Sequence, residues 1–264
     1  MERKPRIGRL AQLGERCVRN AEAGGSIPPP STKTFRLSMP EPNIQETLEK
    51  MRRDWDERAR ENARHYVATG QAEWTDEEFF ESGEKAIREQ ILNDMGNICQ
   101  GKDPKTMRIL EIGCGAGRLT RALAKLFGEI HAVDVSGEMV ERAKAALKDF
   151  PNVHIYQNNG CDLTVVPDLE FDFGYSAIVF QHIPSRAVIE NYVREVNRLL
   201  KPGALFKFQV QGCTEVETVA DDTWLGVPFS DAQAVEMAYR SNFEPRYRHG
   251  AGDQYFWLWF FKKQ

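Results

Sequence analysis

The chain has 264 residues, 41% of them apolar and 28% charged, a balance that excludes wholesale disorder and suits one α/β domain with an extension. Its 35 basic and 39 acidic side chains leave a net charge of −4, which excludes a generally basic surface made to coat nucleic acid. The longest unbroken apolar run, residues 255–261, is far too short to cross a bilayer as a helix, so a soluble chain is expected.

Residues 1–38 carry eight Lys/Arg against three Glu, include Gly24-Gly25 and Pro28-Pro29-Pro30, and show no sustained apolar period. Such a stretch cannot bury enough surface to offset its ordering entropy and reads as a disordered basic extension. A basic tail for RNA or a targeting peptide is the functional reading. Residues 9–16 followed by 25–32 instead resemble the conceptual translation of a transfer-RNA gene, which makes Met39 the expected start. From 44 to 67 the pattern is helical, with Leu48, Met51, Trp55, Ala59 and Ala63 at three- and four-residue steps. A second helix is expected after Thr75, an N-cap with Glu78 three positions on, running towards Cys99. Residues 39–104 thus form an N-terminal helical segment.

From residue 105 to 264 the chain changes character. Strands at 107–112, 129–134, 153–157, 172–180 and 204–210 alternate with helices at 117–127, 137–150 and 185–200, the last stopped by Lys201-Pro202-Gly203. That alternation implies a mostly parallel sheet with helices on both faces. Ser230 is placed to cap a helix reaching about Ser241, and strands at 244–248 and 254–262 follow across Gly250-Ala251-Gly252. So short a turn makes this final pair antiparallel. In the last strand Tyr255, Trp257, Trp259 and Phe261 alternate with Phe256, Leu258 and Phe260, so both of its faces must be buried. The five cysteines never fall in a CxxC spacing, and no secretory signal core opens the chain. A cytoplasmic location and no metal site are the expectations.

The chemistry gathers at Glu111-Ile112-Gly113-Cys114-Gly115-Ala116-Gly117, where a buried strand turns into a helix. Glycines there let backbone approach a ligand closely, and the helix start offers N–H groups. Asp134 ends the next strand, 21 residues after Gly113, where a carboxylate can accept the hydroxyls of a ribose. The dinucleotide pattern GxGxxG wants a glycine at position 118, and this chain has Arg118. The pattern ExGxGxG resembles the first motif of the class I S-adenosylmethionine-dependent methyltransferases. That resemblance extends in order over most of residues 45–262.

The family resemblance implies a Rossmann-like, mostly parallel seven-stranded sheet ending in an antiparallel hairpin, with S-adenosylmethionine as cofactor. Glu111 is then expected near the cofactor's amino group, with Gly113, Cys114, Gly115 and Gly117 supplying close backbone. Asp134-Val135-Ser136-Gly137-Glu138-Met139 resembles the second motif, where Asp134 holds the ribose while Val135 and Met139 flank the adenine. Asn159-Gly160-Cys161-Asp162-Leu163 is similar to the acidic loop, bringing Asp162 to the adenine amine, with Cys161 beside it as a further cofactor-binding residue. Phe171-Asp172 through Pro184 resembles the fourth-strand motif, with Ala177 at a position whose backbone meets the cofactor. Leu199-Leu200-Lys201-Pro202-Gly203-Ala204 is similar to the turn before strand five. Trp55-Asp56-Glu57-Arg58-Ala59 resembles the family's lid helix, which makes Arg58 and Tyr66 candidates for the cofactor carboxylate. An amphipathic surface helix explains those two equally well.

His182, near the end of the fourth strand, is the candidate catalytic base. Its bland alternative is a structural hydrogen bond that orients the following helix. Residues 224–229 form an insertion suited to substrate contact, or else an apolar loop tucked onto the core; Asp221-Asp222 lacks a third metal ligand. The implied function is methyl transfer to an O or N nucleophile of a small-molecule acceptor, with no nucleic acid or membrane partner. Two rivals stand beside it: a non-catalytic cofactor-binding partner protein, and an NAD(P)-dependent oxidoreductase disfavoured by Arg118 and the terminal hairpin.

Overall fold

The computed structural model describes residues 43–215 and 222–264; the expectations for residues 1–38, for Met39 and for Asp221 lie outside the described residues. Helix α1, Ile44–Val67, starts on Asn43, whose side chain accepts the Gln45 N–H, and buries Met51, Ala59 and Ala63. It kinks at Asn62 (φ −163°, ψ 83°), where the amide side chain takes the His65 N–H and donates to the Ala72 carbonyl. Helix α2, Asp76–Gln90, opens with the reciprocal Thr75–Glu78 capping box, a device worth about 1 kcal/mol.

α2 stops well short of Cys99. The chain turns through the short 3-10 segment Leu92–Asp94 before α3, Met95–Cys99. The break places Asp94 against strand residues far along the chain: its Oδ2 accepts from Lys207 Nζ at 2.8 Å and from Trp259 Nε1. A buried lysine needs that partner more than the helix needs its last turns.

Strands β1 (Arg108–Ile112), β2 (Glu129–Asp134), β3 (Val153–Gln157), β4 (Phe171–Ser176), β5 (Leu200–Val210), β6 (Phe243–His249) and β7 (Phe256–Lys262) form one sheet. Its order is β3-β2-β1-β4-β5-β7-β6, parallel through β5, with β7 antiparallel to both β5 and β6. Between the strands lie α4 (Arg118–Leu126), α5 (Gly137–Ala146), α6 (Arg186–Leu199) and α7 (Asp231–Arg240). One sheet face, with Leu110, Ile112, Val133, Phe206 and Phe208, packs on α6 and α7. The other, with Ile109, Ile130, Ala132, Phe173 and Leu205, packs on α2, α4 and α5. β7 feeds both layers, Phe256, Leu258 and Phe260 into the first and Phe261 into the second, while Tyr255 stays outside the strand and exposed.

Two strand boundaries depart by four residues from the sequence expectation, as does the helix expected to reach residue 150, which ends at Ala146. β4 ends at Ser176 rather than at residue 180, because Ile178 adopts a left-handed φ of 58° that no strand can continue. β5 begins at Leu200, through Pro202 and Gly203, with a register irregularity opposite Phe171 and Phe173. No helix among the described residues is long and apolar enough to cross a membrane.

Candidate functional site

A cleft of about 890 Å³, counting the open solvent at its mouth, lies at the carboxyl ends of β1, β2 and β4. β1 is flanked by β2 on one side and β4 on the other, so this is where the strand order reverses and where open α/β sheets leave a crevice. The β1–α4 turn forms its floor. Gly113, Gly115 and Gly117 all have positive φ; a Cβ on Gly113 would sit 2.2 Å from Val179 Cγ2, and one on Gly115 would sit 2.7 Å from Val67 Cγ2. Only glycine permits both that backbone and that closeness. Helix α4 then begins on Gly117 with no side-chain cap.

The carboxylates and the guanidinium on the wall share one condition: among the described residues none has an oppositely charged partner within ion-pairing distance. Glu111 is buried, its Oε2 has no hydrogen-bond partner, and burial pushes its pKa up to about 7. Arg118 reaches the same space with its Nε unpartnered, while its Nη1 donates to the Ser82 hydroxyl at 3.4 Å. Asp134 is held in place by the Gly115 N–H at 2.8 Å and the Ser136 N–H at 2.9 Å. Desolvation nevertheless outweighs those bonds and raises its pKa to about 6. Two desolvated carboxylates and a guanidinium whose Nη1 reaches only the Ser82 hydroxyl, at 3.4 Å, leave this wall with charge that a polar ligand could meet.

α1 closes one side. Met51, Trp55, Tyr66 and Val67 reach the cleft, and Asp56 fastens the helix to the start of α5 by accepting the Ser136 hydroxyl at 2.6 Å and the Glu138 N–H at 3.2 Å. Beyond Trp55 the rim is aromatic. The Arg58 guanidinium lies 4.7 Å from the Trp55 ring and 5.4 Å from the Trp224 ring, and Tyr66 meets Trp224 edge-on. Trp224 comes from residues 222–229, whose turn is fixed by Asp222 accepting the Trp224 and Leu225 N–H groups. Phe229, at the far end of the same segment, is fully buried in the core. The segment therefore has one end at the aromatic rim and the other tucked onto the core.

His182 sits on the cleft wall between Trp55 and Trp224, buried, with its pKa pushed down to about 4 by desolvation. It is neutral at pH 7. Its Nδ1 is 2.6 Å from the Trp224 carbonyl, which can only accept, so Nδ1 carries the proton and Nε2 keeps the lone pair. Gln181 Nε2 lies 3.3 Å from that Nε2, and Gln181 Oε1 in turn accepts from Gln209. Gln209 Oε1 also takes the N–H of Ile178, bracing the left-handed residue at the cleft wall. A β-branched side chain at positive φ is strained, and such strain collects at binding sites.

Of the residues singled out in the sequence, the structure brings Glu111, Gly113, Cys114, Gly115, Asp134, Val135, Met139, Ala177, Tyr66 and His182 to the cleft wall. Arg58, Gly117, Cys161 and Asp162 lie off it. Asp162 is occupied with its own loop, accepting from Asn159 at 2.6 Å and from the Thr164 hydroxyl at 2.7 Å. Its carbonyl accepts from Asn158, which is itself on the wall and pairs with the Tyr192 hydroxyl at 2.6 Å. Arg118, Asn158, Ile178 and Tyr192 were not legible as site residues. For Arg118 a signal existed, a charged residue at the first turn of an uncapped helix.

Residues 109–203 match the model of a methyltransferase domain. The demethylmenaquinone methyltransferase of Staphylococcus aureus is 30% identical over 124 residues, 46% of this chain and 47% of that protein. The ubiquinone biosynthesis O-methyltransferase of Xanthomonas oryzae is 31% identical over 97 residues, 36% of this chain and 39% of that protein. The chain thus spans about half or less of the length of these relatives. Among solved structures, the DhpI–SAH complex superposes with a TM-score of 0.57 at 21% identity, covering 82% of this chain and 97% of the other.

Proposed function

We propose that this chain, which belongs to the class I S-adenosylmethionine-dependent methyltransferases through its domain at residues 109–203, binds that cofactor in the cleft and methylates an oxygen or nitrogen of a small-molecule acceptor. One observation carries the reading: Glu111, buried, and Arg118, half-buried, leave a carboxylate oxygen and a guanidinium Nε unpartnered on the same wall. The cofactor's amino-acid end carries an ammonium and a carboxylate, the two charges that would satisfy them. Asp134, already anchored by two backbone N–H groups, has acceptor capacity left for a ribose diol. Val135 and Met139 supply apolar wall for the base. Cys161 and Asp162 are assigned a supporting role, holding the loop that presents Asn158.

When bound, the cofactor supplies a methyl group already activated on a sulfonium. The protein's work is then to align the acceptor, exclude water and relieve the acceptor of its proton. Alignment alone is worth about 7–11 kcal/mol in favourable cases. His182 Nε2 would exchange its 3.3 Å contact from the Gln181 amide for a hydrogen bond from the acceptor; with its pKa near 4 it positions a hydroxyl or amine more than it deprotonates one in advance. Trp55, Tyr66 and Trp224, with Arg58 between two of the rings, suit an acceptor with a flat or anionic part. The relatives named for quinone methylation fit the same description of a small acceptor.

The test is calorimetric titration of the full chain with S-adenosylmethionine, followed by detection of S-adenosylhomocysteine with a panel of small phenols, quinols and amines. Micromolar binding at one site and acceptor-dependent turnover are expected. Absence of both binding heat and a shift in melting temperature would overturn the cofactor assignment. Binding without turnover on any acceptor would favour the non-catalytic partner instead.

A further inference from the structure

At the opposite end of β2 from Asp134, three side chains converge that play no part in the cleft. Glu129 and His131 are two apart on β2 and so share a sheet face, and His154 stands opposite His131 in the β2–β3 register. Glu129 Oε1 lies 2.8 Å from His131 Nε2 and 3.5 Å from His154 Nε2, and one ligand atom from each residue falls within 4.8 Å of the others. The connection from β3 to β4 contains no helix, so this part of the sheet face lacks a helical cover and the cluster is reached from solvent through the exposed His154.

We propose that Glu129, His131 and His154 form a binding site for a divalent transition metal of the Zn²⁺ type. Two imidazoles and one carboxylate are the donor set Zn²⁺ accepts with a water in fourth place, and oxygen-seeking Mg²⁺ and Ca²⁺ would pass it over. Metal–ligand bonds of about 2.0–2.2 Å demand donor atoms roughly 3.3 Å apart, which small side-chain rotations supply from the spacing present. The surroundings also orient the ligands. Arg108 Nε holds Glu129 Oε2 at 2.8 Å, leaving Oε1 turned to the imidazoles. The Tyr156 hydroxyl sits 3.1 Å from His131 Nδ1, able to accept its proton once Nε2 binds metal, the outer bond that fixes a ligating histidine. Phe171 packs edge-on against the His131 ring and restricts it. Bound there, the ion would clip β3, the edge strand, to β2.

Equilibrium dialysis of the full chain against Zn²⁺, with Co²⁺ as a coloured stand-in and Mg²⁺ as a control, tests the site. One Zn²⁺ per chain, visible Co²⁺ bands without sulfur charge transfer, and no Mg²⁺ retention are expected. His154→Ala should weaken Zn²⁺ binding by about tenfold or more while leaving the metal-free melting temperature unchanged, since that ring is half exposed. Tyr156→Phe should weaken it by a smaller factor. Zn²⁺ retention equal in wild type and His154→Ala, a sulfur-to-cobalt band, or no retention of Zn²⁺ would overturn the proposal. Each outcome is independent of whether the cleft binds S-adenosylmethionine.

Discussion

The two ends of the sheet treat buried charge in opposite ways. At the amino end of β4, Asp172 is almost wholly buried yet accepts from Lys102 at 2.8 Å, Lys201 at 2.9 Å and the Arg108 N–H at 3.1 Å. Those partners hold its carboxyl below the usual range although burial alone would raise it. At the carboxyl ends, Glu111 and Asp134 stay above theirs because burial wins. Burial is common to both ends; a cationic partner is not. A carboxylate the fold has satisfied is part of the fold, and one it has left wanting is waiting for something.

The contrast breaks most visibly if Asp134 is dispensable. Asp134→Ala should weaken S-adenosylmethionine binding by about a hundredfold, the loss of two hydrogen bonds to a charged group, read by titration calorimetry. Glu111→Gln sharpens the comparison, since it removes a buried charge the empty fold does not need. Its affinity should fall by at least about tenfold while the ligand-free melting temperature holds or rises. Asp172→Asn should do the reverse, costing roughly 1–3 kcal/mol in denaturant unfolding with affinity preserved.

The pH dependence should divide along the same line. Glu111 and Asp134 have folded pKa values near 7 and 6, above ordinary values of 4.5 and 3.8. The native state therefore binds extra protons in that window, and ligand-free stability should fall as pH rises from about 5 to 7.5. Cofactor affinity should run the other way, falling as pH drops through 7 and 6, with protons released on binding. Asp172 adds no slope there; its contribution is present above its unfolded pKa of 3.8 and is lost only as pH falls through its lower folded value. The smallest effect is expected at Ile178→Gly, where relief of left-handed strain and lost side-chain packing nearly cancel. Stability should change by no more than about 1 kcal/mol.

Much of the frame was legible because local signals agreed with it. Thr75 with Glu78 and Ser230 with Gln233 both form reciprocal caps, and the 3.6- and 2-residue periods located most helices and strands. The glycine turn and Asp134 were legible because their chemistry depends on spacing within one strand–turn–helix unit. What stayed hidden depends on distant partners. The early end of α2 follows from Lys207 and Trp259 reaching Asp94 across more than a hundred residues of sequence. The left-handed turn at Ile178 is braced by Gln209 of β5. Arg118 read only as a missing glycine, because nothing local reveals that its guanidinium edge finds no carboxylate. Arg58 illustrates the converse: its helix was located, but Trp224 draws the side chain outward to the rim.

The sheet order also carries a consequence in time. Among the described residues β7 comes last of the seven strands along the chain, yet it lies between β5 and β6 and is the sole strand neighbour of β6. During synthesis, domains fold from the amino-terminal side as chain emerges, so β1 to β5 can pair while β6 waits without a neighbour and β5 shows an open edge. Phe206 and Phe208, buried at the end against Phe243 and Phe260, stay uncovered for that interval. Insertion of one late, aromatic-rich strand closes the edge and both layers together, which makes it the natural slow step of folding and the moment at which an interrupted chain is most inclined to aggregate.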